Sequence, residues 1–345
     1  MPQHRRIVLA ERPVMRAPRA DDFRLVEGPL PTPGEGEALV RTVYLSLDPY
    51  MRGRISAAQS YARGVEPGET MVGEVVGEVV ESKAPGLKPG DVVRGHLGWQ
   101  SHAVAPAKAL RRIAPANFPL SYHLGVLGMP GRTAYFALLD IGRPQSGETV
   151  LVSAASGAVG QIVGQIARIK GARAVGIAGG AAKVDYVRSI GFDDAFDYKG
   201  KDYDALVAAV AATCPKGVDV YFDNVGGIIH DAAMANLAFR GRVIICGTIS
   251  TYNQLEQQDT GRRHLRTLLV KRAKMQGFLV GDYADREAEF ERDMPEWLRE
   301  GRLAYREDIV EGLDTAPGAF MGLLEGKNFG KLIVRIGDEP SRPAG

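Results

Sequence analysis

The sequence predicts an α/β chain of two domains, one β-rich and one built on a doubly wound parallel sheet. Three observations predict it. At 345 residues the chain is longer than one ordinary core fills. Up to about residue 125, short β-branched runs are cut by Gly and Pro, as in "EALVRTVYLSLD" from Glu37. After about residue 126, strand patterns alternate with helical ones, which is the mark of βαβ units.

The elements follow in order. "MVGEVVGEVVESKAPGLKPGDVVRGHLGWQSHAV" holds several close-spaced short strands, with a turn at Lys88 to Asp91, and suggests a small barrel. "ETVLVSAA" is a buried-strand pattern, and a helix is expected from Val159 to Lys170. "RAVGIAG" gives a second strand and "AAKVDYVRSIG" a second helix, and "GVDVYFDNVG" and "GRVIICGTI" add strands. The tail "NFGKLIVRIGDEP" returns to strand character and is expected to rejoin the first domain. There is no internal repeat or low-complexity segment.

Composition excludes several functions. The formal charge is +2 and the basic residues are scattered, so no nucleic-acid footprint is expected. The basic N-terminus has no sustained apolar core, so it does not read as a signal peptide. No run of about 18 uninterrupted apolar residues occurs, so no membrane span is expected. Two cysteines, Cys214 and Cys246, make no disulfide framework, and the expected compartment is the cytoplasm.

The chemistry begins at Ala155-Ser156-Gly157-Ala158-Val159-Gly160, which fits G-x-G-x-x-G with Ala in the first place. Gly157 lets the backbone approach a pyrophosphate, and Gly160 lets the helix pack closely on the strand. The helix N-terminus offers N–H donors and the positive end of its dipole to the anion. Ile162, Val163, Ile166 and Ala167 give that helix its buried face. A strand-to-helix turn without a ligand is the alternative, and the βαβ context favours the nucleotide. An NAD site usually places Asp or Glu about 20 residues after the glycines. Here that place reads Gly179-Gly180-Ala181-Ala182-Lys183, and a lysine attracts a 2′-phosphate that a carboxylate would repel. NADP(H) is the expected cofactor.

Several stretches together resemble one family. They are "YLSLDPYMRGR", "LGWQSHAV", "GVLGMPGRTAYFALLDIG", "SAASGAVG", "DVYFDNVGG", "ICGTISTYN", "MQGFLV" and "GKNFGKLIVRI", from residue 44 to residue 336. The chain resembles the zinc-independent medium-chain dehydrogenase/reductases, in the group of leukotriene dehydrogenases, prostaglandin reductases, plant alkenal double-bond reductases and bacterial curcumin reductase. The resemblance implies a GroES-like barrel domain (1–126 and 302–345) and a Rossmann domain (127–301), with the active site in the cleft between them. It implies that Gly157, Ala158, Val159 and Gly160 cradle the pyrophosphate, while Lys183 and Tyr198 hold the 2′-phosphate end near Gly179. Asn224 would lie along the cofactor, with Cys246, Thr248 and Tyr252 following it toward the nicotinamide. Phe278, Leu279 and Val280 would wall the nicotinamide. Asn328 would reach back from the barrel domain, and Met129 and Thr133 would sit near the domain junction. A homodimer across the Rossmann edge strands is also implied. The chain departs from the family at Ala181 and Ala182, where members often have an acidic residue before the lysine. Cofactor choice is expected to be unchanged.

No metal is expected. With two Cys in no C-x-x-C pair, a four-thiolate zinc site is impossible. Gly73-Glu74-Val75 stands where zinc enzymes of the superfamily have G-H-E, and the six His are dispersed. Metal-free hydride transfer suits a small apolar α,β-unsaturated ketone or aldehyde, with hydride going to the β-carbon and charge collecting on the carbonyl oxygen. Tyr252 is the candidate donor to that oxygen or the proton source, and Tyr50 would line the substrate side. Arg52 is weighed against a substrate carboxylate and reads more naturally as solvated or structural. Cys246 reads as a small buried residue rather than a nucleophile. Two alternatives stand beside this reading: a quinone reductase of the same superfamily, and a non-catalytic NADPH-binding protein.

Overall fold

The computed structural model describes residues 3–58, 60–114, 118–258 and 260–340. They form two compact units: Met1–Leu124 with Asn253–Gln257 and Asp308–Gly345, and Gly125–Tyr252 with Gln258–Glu307.

The first unit is mostly antiparallel sheet. His4–Leu9 pairs with Phe23–Gly28. The long strand Glu37–Ser46 lies at the centre of a larger sheet, pairing with Val75–Ser82, His102–Pro106 and Lys331–Arg335. The strand from the chain's end thus completes a sheet begun near its start. The core is aromatic where strands meet: the Trp99 ring stacks on Phe23 at 5.8 Å and meets Phe320 edge-on at 5.7 Å. A buried ion pair crosses this core. Lys331 Nζ donates to Leu47 O at 2.8 Å and to Asp48 Oδ1 at 2.9 Å, and Ser46 Oγ donates to the other Asp48 oxygen. Each polar atom of the pair is satisfied, which is the condition for burying charge.

The second unit holds a parallel sheet of six strands in the order Asp194–Asp197, Arg173–Ala178, Thr149–Val152, Val218–Asp223, Leu237–Ile245, Lys274–Gly277. In chain order this is 3-2-1-4-5-6, the Rossmann arrangement, which places ligands at the carboxyl ends of the strands around the switch point. Thr149–Val152 is buried throughout, as a strand covered on both faces must be. The first crossover helix is Gly160–Ile169, with Ile162, Val163, Ile166 and Ala167 fully buried. Among the described residues no helix is long and apolar enough to cross a membrane.

Candidate cofactor and active site

The glycine turn sits at the switch point. After Val152 the chain bends at Ala154, which adopts a left-handed φ of 48°. Ala154 O accepts the Gly157 N–H at 2.9 Å. A Cβ on Gly160 would stand 2.3 Å from Ala154 O, so only glycine lets the helix begin this close to the strand. A Cβ on Gly157 would meet little beyond the same oxygen at 3.2 Å, and that side is open to an incoming group. Gly157, Ala158 and Val159 are half-buried, and the ten-residue helix starts without a side-chain cap. Gln161 N donates back to Gly157 O at 3.2 Å and Ile162 N to Val159 O at 3.0 Å, so an anion at this end would be met by the positive end of the helix dipole. The turn fits the pyrophosphate of a dinucleotide.

The next strand end fits a phosphorylated ribose. A Cβ on Gly179 would come within 3.0 Å of the Tyr198 ring, so glycine lets that tyrosine lie across the backbone. Lys183 stands in the first turn of the helix Ala181–Ser189. The Asp197 carboxylate is spent on the backbone, accepting from Gly180 N at 2.8 Å and Lys199 N at 2.9 Å. Burial pushes this carboxyl up, but those N–H groups and the lysines Lys201 and Lys199 outweigh it and hold it low. Lys199, whose Cε would lie 3.1 Å from a Gly179 Cβ, escaped the sequence reading although it adjoins Tyr198.

Farther along the sheet, Asp223 organises two strand ends. Its main-chain oxygen accepts Cys246 N at 2.8 Å and Gly247 N at 3.1 Å. Its buried carboxylate takes Tyr221 Oη, Ser153 Oγ, Val225 N and Gly226 N on one oxygen. His230 Nδ1 meets the other oxygen at 2.8 Å. Burial alone raises this carboxyl, and His230 with the two backbone N–H groups brings it below its ordinary value. Asn224 Nδ2 donates to Ser153 O at 2.7 Å, which ties this strand end to the glycine turn. Across it stands Tyr252: a Cβ on Gly247 would be 3.2 Å from the tyrosine hydroxyl and 3.5 Å from Asn224 O. Thr248 packs over Gly226, whose φ of 71° requires glycine. Asn224, Thr248 and Tyr252 are thus together. Burial pushes the Cys246 thiol up to about 12, which disfavours the thiolate form. Nothing local in "DVYFDNVGG" separates a buried aspartate from one in a solvated turn, so the sequence does not mark Asp223.

Other candidates are more scattered. Thr133 Oγ1 donates to Met129 O at 2.8 Å within the helix Met129–Phe136. Phe278 packs edge-on against Tyr283 at 6.4 Å, Leu279 is exposed, and Val280 opens the next short helix. In the first unit, Asn328 Nδ2 donates to Gly330 O at 2.8 Å and closes its own loop. Tyr50 is half-buried against the core, and burial, with help from Asp48 and Glu74, pushes its hydroxyl above the ordinary value. Arg52 is wholly buried and holds main-chain and amide oxygens, so it is structural.

Known proteins share this architecture along its length. Residues 5–113 match a family model described as the N-terminal domain of oxidoreductase, and residues 158–299 match one described as zinc-binding dehydrogenase. The NADPH-dependent curcumin reductase of Escherichia coli (strain K12) is 47% identical over 98% of this chain and 98% of its own. The chain belongs to the medium-chain dehydrogenase/reductase family. The NADP(+)-dependent 2-alkenal reductase of Nicotiana tabacum is 43% identical over 89% of each chain. The crystal structure of CurA in complex with NADPH from Vibrio vulnificus superimposes with a TM-score of 0.92 at 46% identity, covering 97% of this chain and 100% of that one.

Zinc appears in one family description, but the residues of this member do not fit it. Among the described residues no three of His, Cys, Asp and Glu are grouped to hold a metal. Both cysteines are free thiols. His4 is held by Gln100, His102 by Ser101, His230 by Asp223 and His264 by Asp231. Burial, with Arg94 and Arg111, lowers His123 to about 4.

Proposed function

We propose that the protein reduces the conjugated C=C bond of α,β-unsaturated ketones and aldehydes with NADPH. The observation that carries the reading is the Tyr252 hydroxyl standing over Gly247 beside Asn224, at the carboxyl ends of the central strands. The curcumin and alkenal reductases it resembles support the substrate class. Bound NADPH supplies hydride to the β-carbon. Gly157 leaves room for its pyrophosphate, Ala158, Val159 and Gly160 present N–H groups to it, and Lys183 and Tyr198 hold its 2′-phosphate near Gly179. Asn224, Cys246 and Thr248 line its length, and Phe278, Leu279 and Val280 wall its nicotinamide. Met129 and Thr133 complete the binding surface. Tyr252 donates to the carbonyl oxygen as charge collects there, a contribution of about 3 kcal/mol for such a donor. Tyr50 lines the substrate side. Loss of NADPH absorbance on adding benzylideneacetone tests this directly. Tight NADPH binding with no turnover of any enone or enal would leave only a cofactor-binding role.

A homodimer is part of the same reading. All four residues of the edge strand Lys274–Gly277 are exposed, and beside it Leu265, Leu269 and Val270 of the helix Leu265–Lys271 are exposed as well. An open edge flanked by apolar side chains calls for cover, and a second copy supplies it. A monomeric mass by light scattering would contradict this. Two free thiols suit a reducing cytoplasm, and a cell-fractionation blot that recovered the protein outside it would contradict that placement.

A further inference from the structure

Two motifs of the sequence, "DPYMRGR" and "STYN", meet in the first unit through Arg52 and Asn253. The Arg52 side chain has no exposure to solvent. Its Nε donates to Asn253 Oδ1 at 3.2 Å, and Nη2 donates to Pro13 O and Arg16 O, each at 3.0 Å. Its Nη1 is buried with no hydrogen-bond partner among the described residues. A buried guanidinium with an unsatisfied N–H is a poor stability device, since an apolar side chain of similar volume avoids the desolvation cost. A second anchor lies three residues on. Glu256 accepts from Ser56 Oγ at 2.5 Å and from Met15 N at 3.4 Å. Residues Asn253–Gln257 are therefore held at both ends. Tyr252 and Asn253 are neighbours in one short helix, Ile249–Gln254.

We propose that Arg52 is a positioning residue: by gripping Asn253 it fixes the turn that carries Tyr252, and so sets the aim of the tyrosine hydroxyl. This rests on reading Tyr252 as the donor to the substrate carbonyl. The physical demand is clear, because a donor must be held within about 0.5 Å of its productive place. A displacement of about 1 Å costs on the order of 100-fold in rate. A hydroxyl at the end of a long side chain on a six-residue turn does not meet that demand unless the turn itself is fixed.

The test is a kinetic cycle on the NADPH-loaded enzyme with benzylideneacetone. Arg52→Lys also loosens the Pro13 and Arg16 contacts, so the variants are made at Asn253. Asn253→Ala removes the acceptor, and Asn253→Asp keeps it. Asn253→Ala should lower kcat about 10-fold or more while KM for NADPH stays within about twofold. Asn253→Asp should recover most of the rate. In a Tyr252→Phe background, Asn253→Ala should cost less than about twofold further, because the two act through one group. Three results would overturn the proposal: a normal kcat in Asn253→Ala, an Asn253→Asp as slow as the alanine, or losses that multiply in the double variant. If Tyr252→Phe is slow and Asn253→Ala is not, only the positioning role fails. If Tyr252→Phe reduces the enone at the parent rate, the reading of Tyr252 fails and the positioning role goes with it.

Discussion

The hydroxyl of Tyr252 rests over Gly247, 3.2 Å from where a Cβ would stand. That spacing makes Gly247 a probe of the tyrosine. Gly247→Ala should displace the hydroxyl by a few tenths of an ångström and lower kcat on an enone by about 10-fold. NADPH affinity and Tm should change little, because the tight contact is with a side-chain end and the Asn224 main-chain oxygen, at 3.5 Å, is at ordinary van der Waals distance. Steady-state kinetics alongside a thermal melt checks both halves.

The two glycines of the phosphate turn should separate in opposite ways. A Cβ on Gly160 meets backbone at 2.3 Å, whereas one on Gly157 meets a single oxygen at 3.2 Å. Gly160→Ala should therefore cost stability, about 1–3 kcal/mol or more, as overpacking does. Gly157→Ala should fold nearly normally and bind NADPH more weakly, since its methyl enters the space where the pyrophosphate lies. Thermal denaturation and fluorescence titration of NADPH distinguish the two variants.

Lys183 is the test of cofactor choice. Lys183→Ala should raise KM for NADPH about 10-fold and leave KM for NADH nearly unchanged, since only the former carries the 2′-phosphate. An equal effect on both cofactors would remove Lys183 from the phosphate site and point to Lys199 in its place.

Asp223 predicts a pH dependence of stability. Its folded pKa is depressed, so its contribution is complete above the ordinary carboxylate range of about 4 and is lost as pH falls through the lower folded value. Asp223→Asn should be less stable than the parent near neutrality by about 1–3 kcal/mol. The gap should narrow on acidification, because the parent then loses what the variant already lacks. Urea midpoints taken from neutral pH down to about 3 report it.

Much of this was legible in the sequence where local pattern and fold agree. The buried run Thr149–Val152, the turn at Gly157 and Gly160, and the apolar face of Gly160–Ile169 all declare a βαβ unit. Charged residues in the interior were not legible. Nothing in the sequence marks Lys331 and Asp48 as partners, yet they form a buried pair 283 positions apart, and only the folded sheet brings them together. Asp223 was hidden for the same reason, because the groups that satisfy its carboxylate come from two strand ends and a helix. Arg52 offered two readings, and burial chose the structural one. The helix Leu265–Lys271 was missed, since its exposed leucines give no inward-facing stripe to read.

The most direct measurement compares Tyr252→Phe with the parent enzyme on benzylideneacetone and on menadione, with NADPH at saturation. A phenol that donates to a developing enolate matters for the enone and little for a quinone, whose ring spreads the incoming charge. The expected result is a kcat on the enone lowered about 100-fold, with quinone reduction within about threefold of the parent. Equal rates on the enone, or equal losses on both substrates, would contradict the assignment of Tyr252.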